Sequence, residues 1–261
     1  MSHENEYDDK LITMLELIWG EGFMAPGGPG NVAKILEGLD TQGKRILDIG
    51  SGIGGPSIEM AKSHGATVVG IDLEAPLVER ANAAAEAKGV ADRCTFQTVE
   101  AGPYAFEDES FDIVVSSGAL TQAKDKEVIF GECFRILKPG GWISLYDWVK
   151  SDAPLSDDMY YWFKMEGLTF SLETYEQYKA RLETAGFVDV TVRDATDWYR
   201  AEAHREMELL TGKLYDPMVE LIGQKEADHR VENWRAMIVV IDSGEMLQGY
   251  CRGQKPTESM P

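Results

Sequence analysis

The chain has 261 residues, 44% of them apolar, with 45 acidic side chains against 25 basic ones and a formal net charge of −20. That length accommodates one large domain with a sizeable core. The negative balance excludes a general electrostatic footprint for nucleic acid or an anionic membrane, and it leaves room for a small cationic ligand.

The chain starts with charged residues, and no apolar run approaches the ~18 needed to cross a bilayer. Neither a signal peptide nor a transmembrane helix is expected, and the protein is placed in the cytoplasm. From Tyr7, the spacing of Leu11, Met14, Leu15 and Ile18 predicts a helix. Residues 20–30 are too rich in Gly and Pro for regular structure, and Val32, Ile35, Leu36 and Leu39 predict a second, short helix. Residues 45–49 then read as a buried parallel strand that runs into Gly50, Gly52, Gly54 and Gly55, with a helical pattern from Ile58. Glycines at such a turn let a ligand approach the backbone, and the helix start offers unpaired N–H groups. Gly50, Gly52 and Gly55 spell G-x-G-x-x-G, and Asp72 closes the next strand, 67–71, at the offset of a ribose-binding acid.

Residues 76–88 predict a helix ended by Gly89, 94–99 a third strand followed by Glu100, and 111–116 a fourth strand. A helix at 126–137 and a Lys-Pro-Gly-Gly turn lead into a fifth strand at 142–146. This alternation demands a doubly wound parallel sheet whose ligands lie beyond the carboxyl ends of the strands, where Asp48, Asp72, Glu100, Ser116 and Asp147 fall. Beyond Asp147, aromatic residues concentrate in an inserted lid before a helix at 172–184 and a sixth strand at 187–192. Residues 201–222, interrupted at Pro217, and 227–241 read as helical. Residues 246–252 form a last strand able to pair antiparallel with the sixth. Cys94, Cys133 and Cys251 are widely separated in apolar elements and read as reduced core thiols, with no metal-site spacing.

The run Leu47-Asp48-Ile49-Gly50-Ser51-Gly52, the acids Asp72 and Glu100, and Leu137-Lys138-Pro139-Gly140-Gly141, in this order and spacing, resemble the class I S-adenosylmethionine (SAM) dependent methyltransferases. Residues 15–28, before the glycine turn, are similar to the corresponding segment of phosphoethanolamine N-methyltransferases. The resemblance implies a Rossmann-like methyltransferase fold: a mostly parallel seven-stranded sheet with an antiparallel last strand and a helical, aromatic lid. It divides the chain into an N-terminal helix and cofactor-covering segment (1–30), a SAM-binding domain (31–253) with lid insertions at about 148–171 and 196–242, and a flexible tail (254–261). It further implies that Asp48, Gly50 and Gly52 approach the methionine part of SAM, Asp72 and Leu73 the ribose and adenine face, and Glu100 and Ala101 the adenine edge. Ser116 would face the methionine amine, with Met24 and Ala25 closing over the ligand.

On the acceptor side the chain departs from this family. The family's catalytic tyrosine falls on Tyr7, but its histidine falls on Gln122 and the acid of that motif on Gly118. The positions that hold a phosphate fall near Met165, Gly167 and Val239. An amide takes no proton at neutral pH, so a Tyr-His pair cannot operate, and phosphoethanolamine is disfavoured as acceptor. Asp147, nearest the expected transfer point, and His204, a replacement base, complete the candidate catalytic set with Tyr7 and Gln122. Trp148, Tyr160, Tyr161, Trp162, Trp198 and Tyr199 offer either lid packing or a cage for an ammonium group. The expected activity is methyl transfer from SAM, releasing S-adenosylhomocysteine, to a small molecule, preferably the nitrogen of a compact amine or amino acid. The alternatives are O-, S- or C-methylation, a non-catalytic SAM-binding module, or a nicotinamide-dependent oxidoreductase.

Overall fold

The structure, a computed structural model, describes residues 8–257. Its most apolar strands stand at the centre of the sheet, where both faces are covered. β1 (Arg45–Ile49) and β4 (Phe111–Ser117) are parallel neighbours, with Ile46, Leu47, Val114 and Val115 buried. β2 (Thr67–Asp72) and β3 (Cys94–Thr98) extend the sheet on one side, and β5 (Leu137–Lys150) on the other. β7 (Met246–Gln254) runs antiparallel between β5 and β6 (Val188–Asp194), giving the order β3-β2-β1-β4-β5-β7-β6. The direction of winding reverses between β1 and β4, which opens a crevice at their carboxyl ends.

Helices α1 (Asp9–Trp19) and α2 (Gly28–Ile35) precede the sheet, and α3 (Gly55–Ser63) and α4 (Ala75–Ala87) follow β1 and β2. With α2, the latter two cover one face through Val32, Ile58, Met60 and Ala81. α5 (Lys126–Ile136) covers the other face. α6 (Asp157–Glu166) precedes α7 (Tyr175–Thr184), which joins α5 through Phe130, Cys133, Tyr178 and Leu182. A separate core over the carboxyl edge is built from α6, α8 (Thr196–Thr211), α9 (Tyr215–Ile222), α10 (Gln224–Asp242) and the inner side of α1. Among the described residues, no helix is long and apolar enough to cross a membrane. Cys94, Cys133 and Cys251 are buried and free.

Four local expectations are corrected. α2 begins at Gly28, inside the stretch expected to be irregular, because Gly27 adopts a left-handed φ of 92° and Pro29 falls in the first turn, where no N–H is needed. β5 is longer than 142–146, since its ladder with β7 continues from Trp142 to Lys150. The late helix breaks at Gly212, not Pro217, which sits harmlessly in the first turn of α9. The start of the expected tail is held in place: β7 reaches Gln254, and the Lys255 N–H donates to the Gly141 carbonyl at 2.8 Å. Residues 258–261 lie outside the described residues.

One buried polar network pins the lid to the sheet. Lys126, only 1% exposed, donates from Nζ to the carbonyls of Ala123 at 2.8 Å and Ser171 at 2.7 Å, beside the ring of Tyr178. The Tyr178 hydroxyl donates to Asp147 Oδ2, and the Trp148 N–H donates to Oδ1 at 3.0 Å. Burial lowers the pKa of Lys126, and it raises that of Asp147 to about 7, against the opposing pull of Tyr178 and Lys126. Tyr178→Phe removes a donor from a buried carboxylate, which costs about 1–3 kcal/mol. Urea unfolding of that variant is expected to show a loss of this size, and an unchanged midpoint would mean that Tyr178 contributes only packing.

Candidate active site

The turn after β1 is built by backbone that side chains would obstruct. Gly50 has a φ of 71°, and a Cβ there would lie 2.1 Å from that of Ala119, so the loop after β4 rests directly on the turn. The N–H groups of Gly50 and Ser51 donate to the Ile71 carbonyl, at 2.8 and 3.0 Å. Gly52 N–H donates to Asp72 Oδ2 at 2.8 Å, and Glu74 N–H to Oδ1 at 3.0 Å. Asp72 is thus held at the lip of the crevice with acceptor capacity left on both oxygens. Leu73 beside it is 59% exposed, an apolar surface free to meet a flat ring.

The N-terminal segment closes over this turn. Gly22 N–H donates to Glu16 Oε1 at 2.7 Å, and the Gly22 carbonyl accepts from Gly55 N–H at 3.0 Å. Met24 packs against Ile12, Ile53 and Leu77, and a Cβ on Gly52 would come within 3.2 Å of its sulfur. Ala25 faces Gly118 at the end of β4. The structure therefore gathers Met24, Ala25, Gly50, Gly52, Asp72 and Leu73 around one crevice. Glu100 and Ala101 lie exposed on the loop after β3, and Gln122 is half-buried in a short 3-10 turn, Leu120–Gln122.

Four of the sequence candidates are placed elsewhere. Asp48 is 1% exposed and accepts from Ser57 Oγ at 2.6 Å, so it ties the underside of the turn to α3. Ser116 is equally buried, and its hydroxyl donates to the Ile49 carbonyl at 2.9 Å. Its neighbour Ser117 points to the other face, where Asn31 Nδ2 of α2 donates to Ser117 Oγ at 3.4 Å. Asp147 points with Leu145 and Val149 into the core under α5 and α7, while Tyr146 and Trp148 lie on the opposite face. His204 is exposed on α8, with Nε2 3.1 Å from Asp242 at the end of α10, so it is a surface pair rather than a base in the site. Tyr7 lies outside the described residues.

A cavity of about 130 Å³ opens in the lid core, on the side of α1 that faces away from Ile53. Leu11, Leu15 and Trp19 of α1 form one wall, and Trp148, Tyr199, Trp234 and Met237 another. The rings of Trp19 and Trp234 lie 5.9 Å apart at 41°. Both indole N–H groups donate to the fully buried Glu206, at 2.6 and 3.0 Å. Glu166 and Arg230 are the charged residues that line the cavity. Asn233 donates to Glu166, whose pKa burial raises, and Arg230 pairs with Glu226 at 2.8 Å, leaving its buried Nε without a partner.

Of the aromatic residues singled out by sequence, Trp148 and Tyr199 line this cavity. Trp162 is buried against Phe170, Tyr160 and Tyr161 are exposed, and Trp198 packs on Tyr146. Trp19, Trp234, Glu166, Glu206 and Arg230 were not singled out. They stand at ordinary helical positions, and no local signal separates a cavity wall from a core face. At the family's phosphate positions, Gly167 lines the cavity, Met165 packs in the lid core and Val239 is exposed, so none supplies a cation.

Burial raises Asp48, Asp147 and Glu206 to about 7. In the unfolded chain these carboxyls ionise near pH ~4. The native state therefore holds protons that the unfolded chain has released, and the associated stability, full below about pH 4, is lost as the pH rises through about 7. Urea midpoints measured between about pH 5 and 8 are expected to fall with rising pH, and Glu206→Gln is expected to flatten the fall. A midpoint that rises across this window would contradict buried, proton-holding acids.

A model of the methyltransferase domain matches residues 47–145. Phosphoethanolamine N-methyltransferase of Triticum aestivum is 30% identical over 251 residues, covering 96% of this chain and 49% of that protein. The phosphoethanolamine N-methyltransferase of Plasmodium falciparum is 26% identical over 256 residues, covering 96% of this chain and 94% of that protein. The chain spans about half the length of the first curated relatives it matches. Phosphoethanolamine N-methyltransferase 2 of Haemonchus contortus, solved with phosphomonomethylethanolamine and S-adenosylhomocysteine, superposes with a TM-score of 0.90 at 27% identity, over 97% of this chain and 59% of that one. Taken with the strand order and the glycine turn, these likenesses give the chain a methyltransferase domain over residues 47–145 and a fold similar to that of the phosphoethanolamine N-methyltransferases.

Proposed function

We propose that the protein transfers a methyl group from SAM to the nitrogen of a compact amine or amino acid, releasing S-adenosylhomocysteine. The observation that carries this reading is that α1 is shared. One side, with Met24, packs over the glycine turn, and the other side lines the aromatic cavity. Two spaces that border the same helix suit a donor and a small acceptor brought together at its end. The nitrogen preference is supported by the likeness to N-methyltransferases.

The crevice residues fit SAM. Asp72 offers acceptors for ribose hydroxyls, Leu73 an exposed apolar face for adenine, and the Gly50 and Gly52 backbone close approach for the methionine part. Glu100, Ala101 and Met24 complete the reading of this site, on the crevice rim. When bound, SAM supplies a methyl group already activated on a sulfonium, which leaves the protein to align the partners and exclude water. Met24 and Ala25 perform the exclusion from above. Tyr7 and Gln122 position the acceptor, which reacts as the neutral amine because an amide cannot take its proton.

Calorimetric titration with SAM, S-adenosylhomocysteine and NADH, followed by mass spectrometry on a panel of amines, acids and phenols, tests the reading. Binding of the first two and an N-methylated product are expected, whereas binding of NADH alone would overturn it and O-methylation would redirect it. Asp72→Ala removes an ionised acceptor and is expected to weaken SAM binding by about 10- to 100-fold. Unchanged calorimetric affinity would remove Asp72 from the site. Tyr7→Phe is expected to slow turnover by about tenfold or more with SAM affinity intact, the pattern of an acceptor-positioning group. An unaltered rate would return Tyr7 to packing.

A further inference from the structure

We infer that the lid cavity is an onium site: the occupant presents a compact cationic nitrogen to the rings of Trp19 and Trp234, faced by Glu166, and carries no phosphate. That this occupant is the methylated product, cationic once the neutral amine has taken the methyl group and S-adenosylhomocysteine has left, rests on the function proposed above.

The rings carry the argument. A cation over an indole face is attracted by the ring quadrupole, and the attraction is strongest where water is excluded. Trp19 and Trp234 are held tilted toward each other, and each spends its only donor on the same buried carboxylate, Glu206. That leaves the two indoles with no hydrogen-bond donor for an anionic or neutral polar guest. It also sets the carboxyl oxygens of Glu206 behind both rings as acceptors of their N–H groups, which polarises the indoles in the sense a cation favours. Glu206 acts through the rings and is a positioning residue.

Charge and volume agree. The cavity and its immediate surroundings hold Glu166, Glu206 and Glu226 against Arg230, and Arg230 is already paired with Glu226. A phosphate dianion would face the Glu166 carboxyl and find one guanidinium that already binds Glu226 through one nitrogen and keeps only its buried Nε without a partner. Glu166, by contrast, is a buried carboxylate whose ionised form gains from a cation, since burial alone drives it toward the neutral form. A cavity of about 130 Å³ holds a group near the size of benzene, which is that of a trimethylammonium head.

The test uses the full chain and its own tryptophans. Fluorescence titrations with choline, with its neutral isostere 3,3-dimethyl-1-butanol and with phosphocholine are run with and without S-adenosylhomocysteine. Choline is expected to bind about tenfold or more tighter than either of the others, in line with a desolvated cation–ring contact. Glu166→Gln and Glu206→Gln are each expected to cut the choline-to-isostere ratio severalfold while leaving S-adenosylhomocysteine affinity unchanged. A merely structural Glu206 would weaken both ligands alike, which would overturn its part. Equal binding of choline and the isostere by the wild-type protein, or tighter binding of phosphocholine, would overturn the onium site, and neither result depends on the variants folding. Selective choline binding by a protein that takes no S-adenosylhomocysteine would uphold the cage and sink the methyltransferase reading instead.

Discussion

The close approach of two glycine backbones governs the whole carboxyl edge of this protein. The Gly22 carbonyl accepts from the Gly55 N–H at 3.0 Å, and a Cβ on Gly55 would lie 2.1 Å from that same oxygen. Because residue 55 has no side chain, the segment after α1 lies flat on the start of α3 and delivers Met24 and Ala25 over the glycine turn. The position of α1 follows from this contact and from the Glu16 carboxylate that holds Gly22 N–H. Ile12 then meets Ile53 and Leu77 on one side, and Leu11, Leu15 and Trp19 become a wall of the lid cavity on the other. A single backbone contact thereby couples the crevice to the cavity.

Buried carboxylates are the second organising feature. Asp48, Asp147 and Glu206 lie in surroundings that disfavour their charge, and each is retained with donors aimed at it: Ser57, Tyr178 with the Trp148 N–H, and two indoles. Such groups stabilise little in net terms, because desolvation offsets what the hydrogen bonds return. Their effect is on geometry. Asp48 orients the first turn of α3, Asp147 locks β5 to α7, and Glu206 holds α1 and α10 at one angle through Trp19 and Trp234. The lid is therefore oriented by directional bonds at the two points where it meets the sheet and the N-terminal helix, with apolar packing filling the space between.

The core of the sheet and the glycine turn were legible along the chain because both depend on neighbours in sequence. Unbroken apolar runs mark strands covered on two faces, and clustered glycines mark a turn that something must approach closely. Side-chain direction at the strand ends was not legible. Ser116 and Ser117, or Asp147 and Trp148, differ by one position and so point to opposite faces, and a strand buried on both faces offers no alternation to tell which is which. His204 misled for a related reason. It follows Trp198 and Tyr199 in sequence, but α8 turns it away from the face that Tyr199 presents to the cavity.

By itself, then, the sequence determined the layered α/β architecture and the glycine turn with the strand-end acid Asp72 beside it. Those follow from local period, residue type and spacing. The lid cavity was decided only by tertiary structure. Trp19 and Trp234 are 215 residues apart by their numbers and become partners only because Glu206 bonds both. Glu166 and Arg230 come from different helices of the lid core. A cavity is a property of how helices fail to fill the space between them, and no pattern within one helix records where that space will lie.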